Sequence, residues 1–249
     1  MKQITLILGG SVRLYLNYIM LFSTIEKRFN CKIKKKNNFE FQTTFNNNKI
    51  QILFAKNPTR DNIYIKYKNY LEKNRIELLP PPGDEVAKKI KNSDVVLFFG
   101  LCGGFKGRKG DIYLPEKLLE ISLNSHYLKK EYISHINAIN QIKINNIFIG
   151  KINGKKSKII TSNVALCADS IEEEESLIEL CRKLSDQGDI VDKESYSIAK
   201  NIKNIPLGIM VMSSDLLYNK KTMLRNKRPF IIDTKKFNKF CLKCIESVL

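Results

Sequence analysis

Residues 94–115 read DVVLFFGLCGGFKGRKGDIYLP, and their types and spacing are suited to holding a ligand against backbone. Asp94–Phe99 is β-branched and aromatic, the composition of a strand buried on both faces. Gly100-Leu101-Cys102-Gly103-Gly104 follows at once, and Gly110-Asp111 comes six residues later. Glycines directly after such a strand mean that the backbone turns sharply or that something comes close to it. A tight turn under a sheet is one reading. A ligand site at the carboxyl end of a strand, where open α/β sheets bind, is the other. Of the six cysteines, only Cys241-Leu-Lys-Cys244 has metal-like or redox-like spacing. With no second pair beside it, and in an amphipathic segment, it reads as two residues on one helix face rather than a zinc site. A disulfide between them stays open.

The elements that must position such a site alternate along the chain. Gln3–Leu8 reads as a strand and Val12–Phe29 as a helix, followed by a meander of strands at Lys32–Lys34, Phe39–Thr44 and Lys49–Ala55. Asp61–Asn74 reads as a helix, Leu79–Gly83 (LPPPG) as a breaker and Asp84–Ile90 as a short helix with acids in its first turn. After the Asp94–Phe99 strand come a helix at Glu116–Leu123 and strands at Gln141–Gly150 and Ser157–Thr161. Glu172–Gln187 is a helix with Leu177, Leu180, Cys181 and Leu184 on one face and Gly188 at its end. Asp192–Lys203 reads as a helix, Pro206–Met212 as an apolar strand and Lys235–Val248 as a closing helix. No internal repeat or linker divides them. The fold class expected is α/β: a single domain, residues 1–249, with a mixed, twisted central sheet flanked by helices.

Composition narrows the partners. Hydrophobic residues make up 43% and charged residues 27% of the chain, ordinary for a soluble globular protein, and no apolar run is long enough to span a bilayer. The N-terminus MKQITLILGG lacks a small-residue cleavage site and reads as a first strand, so a cytoplasmic location is the default expectation. The net charge of +18 invites a nucleic-acid reading. Arginine, the usual reader of phosphates and bases, supplies only 8 of the 43 basic residues, and the one dense run is Lys32-Ile33-Lys34-Lys35-Lys36. A lysine run of this kind reads as a solvated strand or loop, so nucleic-acid binding is not favoured.

Three separated segments match one pattern. Gly100–Pro115, GLCGGFKGRKGDIYLP, is similar to the G-x-C-G-G…G-D-I-x-x-P signature of the nucleoside phosphorylase/uridine phosphorylase family. That family includes the purine nucleoside phosphorylases and the methylthioadenosine/adenosylhomocysteine nucleosidases. Gly188–Lys200, GDIVDKESYSIAK, resembles its V-x-M-E-x-x-x-I-A segment, and Ile205–Asp215, IPLGIMVMSSD, resembles its strand ending in S-D. In LILGGSVR, Gly9 and Arg13 take the two ends of the family's G-D-P-x-R phosphate loop. The likeness implies cleavage of the N-glycosidic bond of a nucleoside, purine type favoured, by phosphorolysis to free base and ribose 1-phosphate. As alternatives it leaves a hydrolytic nucleosidase of the methylthioadenosine type and a non-catalytic protein that binds a nucleoside or polyanion.

By resemblance, Glu194 would hydrogen-bond the ribose hydroxyls and Asp215 would protonate or hydrogen-bond the departing base. Gly9, Gly10 and Arg13 would hold phosphate, with Arg60, Arg225 or Arg228 as further candidates, and Gly103 and Gly104 would let the backbone approach the nucleoside. Ser162, Lys193 and Ser214 complete the expected substrate-binding set. On the residues alone, Glu194 could instead be an exposed helical carboxylate, although its place after a strand-to-helix turn favours a functional role, while Arg13 could be a surface residue and Ser214 and Asp215 a helix-start cluster. His126 and His135 belong to no motif. The likeness also implies a homo-oligomer, no metal, and no cofactor beyond inorganic phosphate as co-substrate of a phosphorylase. Several family positions differ. Phe98 and Leu101 stand where an arginine and a Ser or Thr would meet phosphate, and Lys193 stands where a Met precedes the ribose-binding Glu. Ala165 or a neighbour replaces an aromatic that would stack on the base, and no Glu of the hydrolase type lies between Met1 and Ile25.

Overall fold

Ile4, Leu6 and Leu8 alternate with Thr5 and Ile7 along the first strand, and all five are buried. A strand buried on both faces needs a layer on each side of its sheet. The computed structural model describes residues 1–9, 12–37, 40–55, 86, 89–90, 92–121, 138–162, 171–192, 194–202, 204–216 and 233–249. In chain order the elements are β1 (Gln3–Gly9), α1 (Val12–Phe29), β2 (Lys34–Asn37), β3 (Glu40–Phe45), β4 (Asn48–Ala55) and β5 (Val95–Gly104). They continue with β6 (Ile112–Ile121), β7 (Ala138–Lys143), β8 (Lys155–Ser162), α2 (Ile171–Gln187), β9 (Ile190–Asp192), α3 (Ser195–Asn201), β10 (Leu207–Leu216) and α4 (Thr234–Glu246). This is the α/β fold expected, a mixed central sheet flanked by helices.

All ten strands form one sheet in the order β10-β6-β8-β9-β5-β1-β4-β3-β2, with β7 on β6 and a further pairing between β10 and β5. That last pairing closes β5, β10, β6, β8 and β9 into a ring, and β1, β4, β3 and β2 extend from it as an open wing. β4, β1, β5 and β10 run parallel. On one face Leu6, Leu8, Leu97 and Phe99 share a core with Leu21 and Ile25 of α1 and with Phe237, Cys241 and Cys244 of α4. On the other, Ile7, Val96 and Phe98 share a core with Tyr196, Ile198 and Ala199 of α3. Leu180, Cys181 and Leu184 of α2 cover Ile160 and Val191. The β3–β4 hairpin turns on Asn46 and Asn47, at φ 45° and 61°, the left-handed pair that a two-residue hairpin of this twist requires.

The structure corrects several expectations. Glu116–Leu123 is not a helix. Ile112–Ile121 is strand β6, held by β7 on one side and β8 on the other, and these neighbours decide its conformation over local propensity. The glycines after Phe99 do not end their strand, because β5 runs through Gly100, Gly103 and Gly104 with partners at the far end on both edges. The strand expected to reach Gly150 stops at Lys143, and the helix expected from Asp192 begins at Ser195 after the short strand β9. The first meander strand is shifted to Lys34–Asn37, a fully exposed edge whose three lysines discourage pairing with another chain. The Asp61–Asn74 helix and the Leu79–Gly83 breaker lie outside the described residues. Of the Asp84–Ile90 helix, Val86 and Ile90 are described and are buried. Cys241 and Cys244 are free thiols packed inward on α4, as two residues on one helix face. No described helix is long and apolar enough to cross a membrane.

Asn146 locks the ring. Its buried amide donates to Pro115 O of β6 (3.0 Å) and Ile209 O of β10 (2.8 Å), and its oxygen accepts from Phe148 N (3.2 Å) and Ile209 N (3.1 Å). All four hydrogen-bonding positions of the side chain are used where water does not reach. Asn146→Ala should lower unfolding free energy by roughly 3 kcal/mol or more, since buried donors and acceptors left without partners cost about 1–3 kcal/mol each. Urea unfolding followed by circular dichroism measures it.

Candidate active site

The edge of β5 is shared by two partners in succession. β1 pairs with it from Val95 to Phe99, ending with Leu8 beside Phe99, and β9 takes up the same ladder at Gly103 and Gly104. Between them β1 has run out at Gly9, and the chain leaving β9 turns back at Glu194 into α3. A handover of this kind leaves backbone carbonyls without ladder partners. Tyr18, fully buried on α1, answers it: its hydroxyl faces Gly9 O at 2.6 Å and Phe99 O at 3.1 Å. Burial first, then the neighbouring Cys241 and Glu194, push the Tyr18 phenol far above its ordinary range, so it stays a donor.

Gly9 and Gly100 are glycines here for a steric reason. A β-carbon on Gly9 would lie 2.5 Å from Cε2 and 2.6 Å from Cζ of Phe98, and one on Gly100 would lie 2.9 Å from Phe98 Cζ. The Phe98 ring, wholly buried, therefore fills the floor beneath both glycines. The floor at this point is apolar. The Glu194 carboxylate comes to the same place, with Oε2 3.6 Å from the β-carbon position of Gly9, and the residue is 95% removed from solvent.

Local sequence explains why Glu194 is available there. It occupies the residue before α3, yet its side chain makes no capping hydrogen bond. Asp192 caps instead: Oδ2 accepts from Ser195 N at 3.2 Å and from the Ser195 hydroxyl, while Oδ1 accepts from Thr161 Oγ1 at 2.8 Å. Thr161 Oγ1 also accepts from Tyr196 N at 3.1 Å, tying β8 to the first turn of α3. Burial pushes the Asp192 carboxyl up to about 6, opposed by its hydrogen bonds from Ser195, Thr161 and the Glu194 amide. Sequence reading missed Tyr18, Thr161, Asp192 and Ser195 as parts of this site. The signal for one of them was present: an Asp three residues before a Ser at a helix start is a capping pattern.

The remaining expected residues fall as follows. Asp215 and Ser214 are not a helix start, because both lie in β10. Asp215 pairs with Gly103 across a bulge in which Ser214 is the extra residue, and Ser214 Oγ donates to Cys102 O at 3.2 Å. Bulges re-aim a strand end, and this one sets the backbone of Asp215 at the carboxyl end of β10, beside the β5 segment that β9 joins. Gly103 thus lies between Val191 and Asp215, and Gly104 between Ile190 and Leu216. Arg13 is the second residue of α1 and Ser162 the last of β8, each described through the backbone alone, as is Asp215. Gly10, Lys193, Arg60, Arg225, Arg228, Ala165 and both histidines lie outside the described residues. The Asp111 of the Gly110-Asp111 pair braces the loop after β5. It accepts from Lys155 Nζ (2.5 Å) and Arg108 N (2.7 Å), and Gly107 and Gly110 take φ of 88° and 77° to make the turn. The structure thus brings Gly9, Gly100 and Glu194 together, and β10, which bears Asp215 near its carboxyl end, runs parallel to β5 and β1.

No protein-family model matches this chain, and no curated protein matches it either. Solved structures do. Native futalosine hydrolase of Helicobacter pylori superposes with a TM-score of 0.59 at 13% identity, over 98% of this chain and 97% of its own. The 5′-methylthioadenosine/S-adenosyl homocysteine nucleosidase of Campylobacter jejuni gives 0.54 at 16%, over 100% and 96%. The Chlamydia trachomatis nucleosidase of the same type, bound to adenine, gives 0.54 at 13%, over 100% of both chains. The fold is that of these hydrolase and nucleosidase structures.

Two outcomes test this geometry. Gly9→Ala should destabilise the protein by about 1–3 kcal/mol through overpacking against Phe98. Combining it with Phe98→Leu should recover part of that loss, read as a non-additive coupling in urea unfolding. The second outcome concerns pH. The folded pKa of Asp192, about 6, lies above its unfolded value near 3.8, so the folded state holds the proton more tightly. Stability from this group is full below about pH 4 and is lost as pH rises towards 6, by up to about 3 kcal/mol. Asp192→Asn should flatten that part of the unfolding free energy measured from pH 4 to pH 7.

Proposed function

We propose that this protein is a hydrolytic nucleosidase that cleaves the N-glycosidic bond of a purine nucleoside. The observation that carries the reading is the Glu194 carboxylate buried beside Gly9 over the Phe98 ring. A sugar whose base is leaving becomes cation-like at C1′. A fixed carboxylate that holds the ribose hydroxyls orients the sugar and favours that charge. Water then bonds through oxygen to C1′ as the C1′–N bond breaks. The bonding pair leaves with the base, Asp215 supplies the proton the base takes, and the proton lost by water returns the carboxylic acid through solvent.

Hydrolysis replaces the phosphorolysis favoured from sequence. The place of the family's phosphate-binding arginine holds Phe98, whose buried ring offers an anion no donor. The structural neighbours named above are themselves described as a hydrolase and nucleosidases, which supports the same choice. The adenine bound to one of them supports a purine base for this chain. Gly9, Gly103 and Gly104 would let the substrate approach the backbone, and Gly10, Arg13, Ser162, Lys193 and Ser214 remain the proposed substrate contacts.

The test is free-base release from a nucleoside panel that includes 5′-substituted adenosines, followed chromatographically with and without phosphate. Release should occur and be independent of phosphate, and a strict phosphate requirement would overturn hydrolysis. Asp215→Asn should lower kcat by about 10²–10⁴-fold with little change in KM, the signature of a lost general acid. Glu194→Gln should lower kcat and raise KM together, because the sugar is held in both ground and transition states.

A further inference from the structure

Among the described residues, Asp192 is the one buried carboxylate near the site that the proposed reaction leaves unused. It is 95% removed from solvent, and both its oxygens are engaged: Oδ1 by the Thr161 hydroxyl at 2.8 Å, Oδ2 by the Ser195 amide at 3.2 Å and by the Ser195 hydroxyl. The Glu194 amide also donates to it. A buried carboxylate held by this many donors is a costly feature to keep for capping a helix of seven residues, which an uncharged Ser or Asn would cap as well. The feature that distinguishes it is what it grips. Its donors are the backbone of Glu194, the residue after Glu194, and a side chain on β8 that also binds the amide of Tyr196.

We propose that Asp192 is a positioning residue: through Thr161, Ser195 and the Glu194 amide it fixes the backbone of Glu194 so that the Glu194 carboxylate stands beside Gly9 at the gap between β1 and β9. The inference deepens the nucleosidase reading and rests on it for its kinetic readout. The mechanical argument is direct. Capping by Asp192 frees Glu194 from capping, and the Glu194 side chain indeed makes no cap hydrogen bond. β8 and β9 run parallel, with Thr161 opposite Asp192, so the anchor belongs to the sheet and not to a loop. A carboxylate that must meet two sugar hydroxyls needs its Cα fixed as well as its rotamer, since a misplacement on the order of 1 Å can cost about 10²-fold in rate.

The experiment is a double-mutant cycle on the full chain, assayed by base release from the nucleoside that the wild type cleaves best. Asp192→Asn should lower kcat/KM by about 10–100-fold, with KM raised and kcat lowered as in Glu194→Gln. In the Glu194→Gln background the same change should add less than about 3-fold, because the group being positioned is already lost. Thr161→Val should copy the defect and Thr161→Ser, which keeps the hydroxyl, should restore it. These milder changes cover the case in which Asp192→Asn fails to fold. Multiplicative losses in the cycle, or full activity in both Asp192→Asn and Thr161→Val, would overturn the proposal. If the wild type releases no base from any nucleoside, the nucleosidase reading fails separately. A crystal structure of Thr161→Val then decides the positioning claim: Glu194 displaced from Gly9 upholds it, and Glu194 unmoved overturns it.

Discussion

One strand edge with two successive partners governs this molecule. β5 gives its edge to β1 as far as Phe99 and to β9 from Gly103, while its opposite edge stays on β10 throughout. The ring of five strands can close only if β9 reaches β5, and β1 must end before β9 arrives. The gap between them is therefore a consequence of how the sheet closes. Gly9 lies where β1 stops, Gly100 within β5 and Glu194 where the chain turns out of β9, while the end of β10 lies across β5 from the gap.

A break in a ladder exposes backbone groups, and the polar side chains around it are those the break demands. Tyr18 serves the carbonyls of Gly9 and Phe99 from one helix, and Asp192 serves the amides that open another. Each is buried, and for each, burial displaces the acid–base equilibrium towards the neutral form. For tyrosine that leaves a permanent donor. For aspartate it leaves an anion at neutral pH only because Thr161, Ser195 and the Glu194 amide surround it.

Phe98 sets the floor of this gap. The ring lies below Gly9 and Gly100 and leaves no space for a β-carbon on either. The lysines on β2 lie on the edge strand of the wing, exposed to solvent and separated from the gap by β3, β4 and β1.

The sequence by itself determined most elements and singled out Glu194 as a candidate carboxylate, which the structure places beside Gly9. Runs such as Gln3–Gly9 and Leu207–Met212 are apolar on both faces and can be little else than central strands, and the Val12–Phe29 helix follows from its own periodicity. The glycines at 9 and 100 are also local: each lies against the Phe98 ring, where a β-carbon would not fit. Tertiary structure alone decided the rest. Glu116–Ile121 has the composition of a helix start and became a strand because β7 and β8 offered ladders on both sides. Ser213-Ser214-Asp215 reads as a helix cap and became a bulged strand because β5 continued beside it. The roles of Tyr18, Asp192 and Thr161 depend on partners up to 81 residues away, and Thr161 and Asp192, which meet, are 31 apart. Periodicity reports the face a residue turns to the core. Which orphaned amide or carbonyl waits there depends on where neighbouring strands end, and that is fixed only when the sheet closes.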